Sequence, residues 1–162
     1  MEHLQEYVVQ YGYLSIFFFL SLGIFGLPVP DELLVALAGY LTSAGTFQFL
    51  FTIIFTLSGV MVGSLFTYLI GRKLGKPLIQ RFGKHLFLTP HRMHKIERWF
   101  MTYGSWTVTF GYFVPGMRHL ICYISGMSGM SIHRYVLFAI PGVIVSTTVC
   151  LLLGYFIHLP FF

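Results

Sequence analysis

Residues 27–41 read LPVPDELLVALAGYL. Two prolines, Pro28 and Pro30, and two adjacent carboxylates, Asp31 and Glu32, stand inside a stretch that otherwise reads as membrane helix. A charge at the centre of a membrane helix costs about 2.5–3.5 kcal/mol on the insertion scale, so the acids need a partner, a proton or water. The prolines break the helix there, because proline lacks the N–H that a helix interior requires.

The chain around this stretch is apolar on the scale of the bilayer. From Leu33 to Gly71 it contains no Asp, Glu, Lys or Arg, and Tyr135 to Phe162 is equally free of them. A spanning helix takes about 20 apolar residues, so the first run folds back at least once. The whole chain is 56% hydrophobic and 9% charged, with mean hydropathy +0.79. Soluble domains carry about 25% charged residues, which leaves an all-α integral membrane protein. The first six residues hold Glu2 and Glu6 and no Lys or Arg, so no removable signal peptide is expected. Cys122 and Cys150 lie in apolar segments and read as reduced packing residues.

Eight of the ten Lys and Arg residues fall between Arg72 and Arg98. The net charge of +5 is therefore concentrated in one loop, which points to membrane orientation and away from a nucleic-acid partner. The positive-inside rule puts this loop in the cytoplasm. Within it, TPHRMHKIERWF at residues 89–100 reads as an interfacial helix, with Thr89 as N-cap and Pro90 at the first helical position. Met93, Ile96, Trp99 and Phe100 recur on one face, with basic residues on the other. Such a helix either contacts lipid and is drawn to anionic headgroups, or is a solvated connector that orients the protein. His91 and His94 have loose metal-ligand spacing, but cationic neighbours and the lack of a third ligand argue against a metal, and no cofactor is expected.

The chain contains its own pattern twice. Sliding residues 28–71 onto 115–158 brings Pro28 onto Pro115, Gly39 onto Gly126, Tyr68 onto Tyr155 and Asp31 onto Arg118, with 10 of 44 positions identical. Each half reads as an apolar arm, a proline break, a short second arm and one long helix. The second arm of the first half has about 14 residues, or roughly 21 Å of helix, too short for a hydrocarbon core of about 30 Å. The first arm is similarly short if helix begins near Tyr13, and could span if it begins at Tyr7; the hairpin reading takes Tyr13.

The expectation is a single membrane domain over 1–162, built from two inverted repeats. Repeat one covers 7–71, with a re-entrant broken-helix hairpin over 13–44 and a transmembrane helix over 46–71. Residues 72–102 form the cytoplasmic basic loop and interfacial helix. Repeat two covers 103–158, with a hairpin over 104–129 and a transmembrane helix over 134–157. One net crossing per repeat turns the second copy upside down and leaves both termini outside.

Non-helical backbone at membrane depth persists only where protein buries it or it lines a wet cavity, and inverted repeats with broken helices are a common transporter build. On this reading the Asp31-Glu32 tip approaches from outside and the Arg118 tip from the cytoplasm. Arg118 follows Pro115-Gly116 at a helix start, where free N–H groups and a guanidinium fork suit a phosphate. Asp31 either caps its own helix or joins the site, and Glu32 is placed to titrate. The alternative is that Glu32 and Arg118 only close a buried structural pair.

At these residues the chain resembles the DedA family of bacterial membrane proteins. The matching pieces are GLPVPDELLVALAG, YLIGRKLG at the end of the first long helix, and FVPGMRHLICYISGMSGM with the helix that follows. The resemblance implies paired re-entrant hairpins, residence in the bacterial cytoplasmic membrane and movement of lipids across it. It implies undecaprenyl phosphate or phosphatidylethanolamine as cargo, with proton or sodium coupling. Glu32 matches the family's acidic membrane residue, Arg118 the Arg closing its Pro-Gly-x-Arg motif, and Arg72 the Gly-Arg at the helix end. Tyr112 stands where many members have a second Arg, and Ser64 where many have Asp. Loss of one Arg tilts the expectation slightly toward a zwitterion, with phosphate on Arg118 and ammonium on Glu32 or Asp31.

Competing functions are a proton or cation channel and a non-transporting assembly factor. An enzyme is not expected: the chain has a single Asp, and no Gly-x-Ser-x-Gly, His-Glu-x-x-His or phosphate-cradling Gly-rich loop.

Overall fold

A computed structural model describes residues 2–22, 31–82, 90–114 and 116–157. They form seven helices: α1 (Glu2–Leu22), α2 (Asp31–Ser43), α3 (Phe49–Phe82), α4 (Pro90–Tyr103), α5 (Trp106–Gly111), α6 (Arg118–Met127) and α7 (Ile132–Ile157). No strand occurs among the described residues. Pro28, Pro30, Lys84, Thr89 and Pro115 lie outside them.

Among the described residues, two helices are long and apolar enough to cross a membrane, Phe49–Gly75 and Ile132–Ile157. At 27 and 26 residues each rises about 40 Å, more than the hydrocarbon core of about 30 Å. Large apolar side chains stand outward along both: Leu50 is 67% exposed and Leu137 68%. Continuous apolar surface of this kind is what lipid covers. The inward faces repeat every fourth residue, which keeps them on one side of each helix. On α3 these are Thr52, Thr56, Val60, Ser64 and Tyr68; on α7 they are Ala139, Val143, Thr147 and Leu151. The same 87-residue offset carries Thr52, Thr56, Val60 and Ser64 onto those four α7 positions.

The chain divides into two compact units, Met1–Gly63 with Ile144–Phe162, and Ser64–Val143. In the first, α1 packs on α2, and the Tyr13 ring lies 4.7 Å from Phe47 and 5.4 Å from Phe55 between centroids. The Gln48 N–H donates to the Tyr13 hydroxyl at 2.7 Å, which fastens α1 to the start of α3. Thr42 of α2 and Thr52 of α3 join hydroxyls at 3.0 Å. In the second unit α4, α5 and α6 pack on one another, Trp106 meets Phe138 edge-on at 5.2 Å, and Tyr68 stacks on Tyr135 at 4.4 Å.

The bounds of α1 and α3 differ most from expectation. Helix α1 begins at Glu2, well before Tyr13, and its 21 residues rise about 32 Å, with an apolar stretch over Val9–Leu22. Leu4, Gln5 and Glu6 are good helix formers, so the helix continues past the apolar segment that hydropathy detects. Helix α3 starts at Phe49, three residues later than expected, and runs to Phe82. Arg72, Lys73 and Leu74 sustain it beyond Gly71, until Gly75 (φ 48, ψ −142) breaks the helical path. Pro77 follows the break, where a proline N–H is not needed. The Tyr123 hydroxyl donates to the Gly75 carbonyl at this kink.

Candidate functional site

Arg118 opens α6 and is buried, 6% exposed. Its position follows from the turn before it: Gly116 holds φ 74, which a residue with a Cβ rarely adopts, and Met117 then leads into the helix. The Met117 side chain offers no cap, so the first N–H groups of α6 have no side-chain acceptor at that position.

One turn on from Arg118, Cys122 lies in a buried cluster of neutral polar groups. The Tyr112 hydroxyl is 3.6 Å from Cys122 Sγ and 3.3 Å from the Tyr135 hydroxyl. Tyr135 in turn donates to the Ser64 carbonyl at 3.3 Å. Tyr112 and Ser64, the two departures from the family pattern, thus join one hydrogen-bonded group of α3, α6, α7 and the turn after α5. In the sequence Tyr112 stands alone, Cys122 reads as packing, and Tyr135 is one tyrosine in an apolar run. Neither Cys122 nor Cys150 is in a disulfide.

In the other unit, Asp31 opens α2 and is 5% exposed, while Glu32 beside it is half-buried. Among the described residues, Asp31 and Arg118 are the charged side chains that are buried. They have opposite signs, each starts the short helix of its half, and the 87-residue offset carries one onto the other.

Both short helices rest on a long helix through glycines. A Cβ on Gly126 of α6 would overlap the Tyr68 carbonyl of α3, and one on Gly71 of α3 would overlap the Tyr123 carbonyl of α6. In the first unit a Cβ on Gly39 of α2 would overlap the Leu151 carbonyl of α7, and one on Gly154 would overlap the Ala36 carbonyl. The offset that relates Gly39 to Gly126 also relates Ala36 to Tyr123. Close backbone approach through small residues is the usual way helices associate in lipid. The short helix of each half therefore packs on the long helix of the other half. Arg72 sits at the edge of its crossing, where its Nη1 donates to the Tyr68 hydroxyl at 3.1 Å while the side chain stays exposed. The Tyr68 hydroxyl also donates to the Met130 carbonyl.

Two apolar helices long enough to span, glycine-mediated helix contacts and charges buried at helix starts are compatible with a helical membrane protein. Residues 29–156 match the VTT domain model, and the chain belongs to this family, the DedA family. It is 41% identical over 154 residues to the membrane protein YbfM of Bacillus subtilis, covering 95% of each chain. It is 32% identical over 126 residues to undecaprenyl phosphate transporter A of the same organism, covering 78% of this chain and 64% of that one. An alkaline phosphatase-like protein of Lactococcus lactis is 28% identical over 160 residues, with 93% of this chain and 75% of that one covered. No solved structure matches the chain.

Proposed function

We propose that this protein moves a phosphate-headgroup lipid across the membrane between two inverted repeats, each a broken-helix hairpin and one spanning helix. The observation that carries the reading is the pair of buried opposite charges, Asp31 and Arg118, at equivalent positions of the two halves. Ionisable groups buried in membrane helices mark substrate and ion pathways, and an arginine at a helix start binds phosphate through its fork and the free N–H groups. The matching inward faces of α3 and α7, and the reciprocal glycine crossings, support the repeat.

In this reading Arg118 takes the phosphate, Asp31 and Glu32 take a cationic headgroup group, and Glu32 carries a coupling proton. Gly39, Gly126 and Arg72 hold the arms in place, with Pro28, Pro30, Pro115 and Gly116 setting the breaks. The neutral Tyr112, Cys122 and Tyr135 cluster adds hydrogen-bonding groups without a second positive charge. That favours a zwitterionic headgroup such as phosphatidylethanolamine. The name of the Bacillus subtilis relative favours a second reading, undecaprenyl phosphate.

Purified protein reconstituted with headgroup-labelled phosphatidylethanolamine or undecaprenyl phosphate, with and without a pH gradient, tests both. The expected result is protein-dependent transfer of the ethanolamine lipid between leaflets, lost in Arg118→Ala. Transfer of undecaprenyl phosphate alone would select the second reading. Ion conduction without lipid transfer would make the protein a channel, and neither activity would make it an assembly factor.

A further inference from the structure

Helix α4 carries a recess that the transport reading does not use. His91, Lys95, Arg98, Trp99, Thr102 and Tyr103 line a shallow space of about 470 Å³ along one side of the helix. The helix is fixed in rotation by Ile96, which is fully buried, with Met93, Trp99 and Phe100 half-buried beside it. His91, Lys95 and Arg98 then fall one turn apart on the exposed side, over a rise of about 10 Å. Trp99 and Tyr103 form the border between this basic side and the buried one.

Three features of the recess bear on what it can hold. Its charge is uncompensated from within α4, since the helix's one acid, Glu97, faces elsewhere and lies 3.6 Å from His94. Lys95 Nζ lies 5.7 Å from the Trp99 ring centroid, so a cation is held over an aromatic face. Thr102 turns its hydroxyl back to the Arg98 carbonyl at 3.0 Å, so its proton is used within the helix. Indole and phenol rings settle at headgroup depth, and Lys and Arg extend their charges to the phosphate layer.

We propose that this recess binds the headgroup of an anionic phospholipid, one molecule in preference to its zwitterionic neighbours, in the leaflet against which α4 lies. The bound lipid is a resident of the surface and not the cargo. The proposal therefore stands whatever the protein transports, and the two fail separately.

The test uses the full chain in nanodiscs of phosphatidylcholine with a fixed fraction of phosphatidylglycerol. The chain has two tryptophans, so Trp106→Phe leaves Trp99 as the reporter. Bromine is placed on the acyl chains of one lipid or the other, and quenching of Trp99 is compared at equal mole fraction. Brominated phosphatidylglycerol is expected to quench well above its mole fraction, with each cation worth about fivefold in lipid preference. Lys95→Gln with Arg98→Gln should remove the preference, Lys95→Arg should keep it, and raised salt should reduce it in the unaltered recess. Inorganic phosphate added to the medium should not compete. Equal quenching by both lipids, a preference that survives the double neutralisation, or displacement by free phosphate would each overturn the proposal.

Discussion

Gly126 lies against the Tyr68 carbonyl so closely that no methyl group fits between them. The contact joins α6 to α3 backbone to backbone, and Gly39 stands in the same relation to Leu151 where α2 meets α7. Gly126→Ala and Gly39→Ala should each destabilise the protein by about 1–3 kcal/mol, because neither neighbour is a side chain that can turn away. Melting in detergent reads this as a fall of about 2–4 °C per kcal/mol. Leu153→Ala, on the same helix as Leu151 but 58% exposed, should change stability by less than about 0.5 kcal/mol. Equal effects at all three positions would mean that the crossings are not close-packed.

The Tyr68 hydroxyl links Met130 and Arg72, and its ring stacks on Tyr135 with an interplanar angle of 17°. Tyr68→Phe keeps the stack and removes both hydrogen bonds, and should cost about 0.5–1.5 kcal/mol for each. Tyr68→Leu loses the aromatic pair as well, about 0.5–1.5 kcal/mol more. Thermal unfolding of the two variants separates the hydroxyl from the ring.

Much of this was legible because apolar spacing and helix-starting residues are local signals. Asp31 does open α2 and Pro90 does open α4, as acid and proline at a first turn predict. The rotation of α4 followed from Met93, Ile96, Trp99 and Phe100, and Ile96 is the most buried of them. The start of α1 was not legible from hydropathy, because Glu2, His3, Gln5 and Glu6 are polar, while Glu2, Leu4, Gln5 and Glu6 still favour helix. Nor was the Gly75 break distinguishable from a helix end at Gly71, since both glycines precede basic residues. The cluster of Tyr112, Cys122 and Tyr135 joins residues 10 and 23 positions apart through tertiary packing, which no local pattern encodes.

Orientation can be read with single cysteines in a cysteine-free background. Met101 on α4 is 86% exposed, and Ala44 in the turn after α2 is also exposed. A membrane-impermeant thiol reagent should label Met101→Cys only from the cytoplasm and Ala44→Cys only from outside, as the basic residues between Arg72 and Arg98 require. The reverse pattern would invert the topology, and labelling of both from one side would remove the crossing between them.

Arg118→Lys keeps the charge but loses the planar fork, so it should impair lipid transfer clearly, and Arg118→Ala should abolish it. One charge-assisted contact to phosphate is worth about 1.5–3 kcal/mol, or roughly tenfold to 150-fold in affinity. Headgroup binding and transfer measured on both variants decide the point. A folded Arg118→Ala protein with full activity would take this residue out of the site.

Asp31 and Glu32 are neighbours in sequence with different surroundings, one buried and one half-buried. Glu32, the more exposed of the two, is the residue to which the proposed coupling role belongs. Glu32→Gln should therefore leave folding and headgroup binding intact and make transport indifferent to a pH gradient. A purely structural Glu32 would behave otherwise: the amide would remove a counter-charge from a buried network, and breaking a buried ion pair typically costs about 3–5 kcal/mol. Stability and gradient-driven transfer must be measured on the same preparation, since each reading moves a different one of the two. Asp31→Asn is the comparison, because an amide can replace a carboxylate at a helix start at small cost. A stable Glu32→Gln protein that still follows the proton gradient would end the coupling role, and a sharp loss of melting temperature in it would make the carboxylate structural.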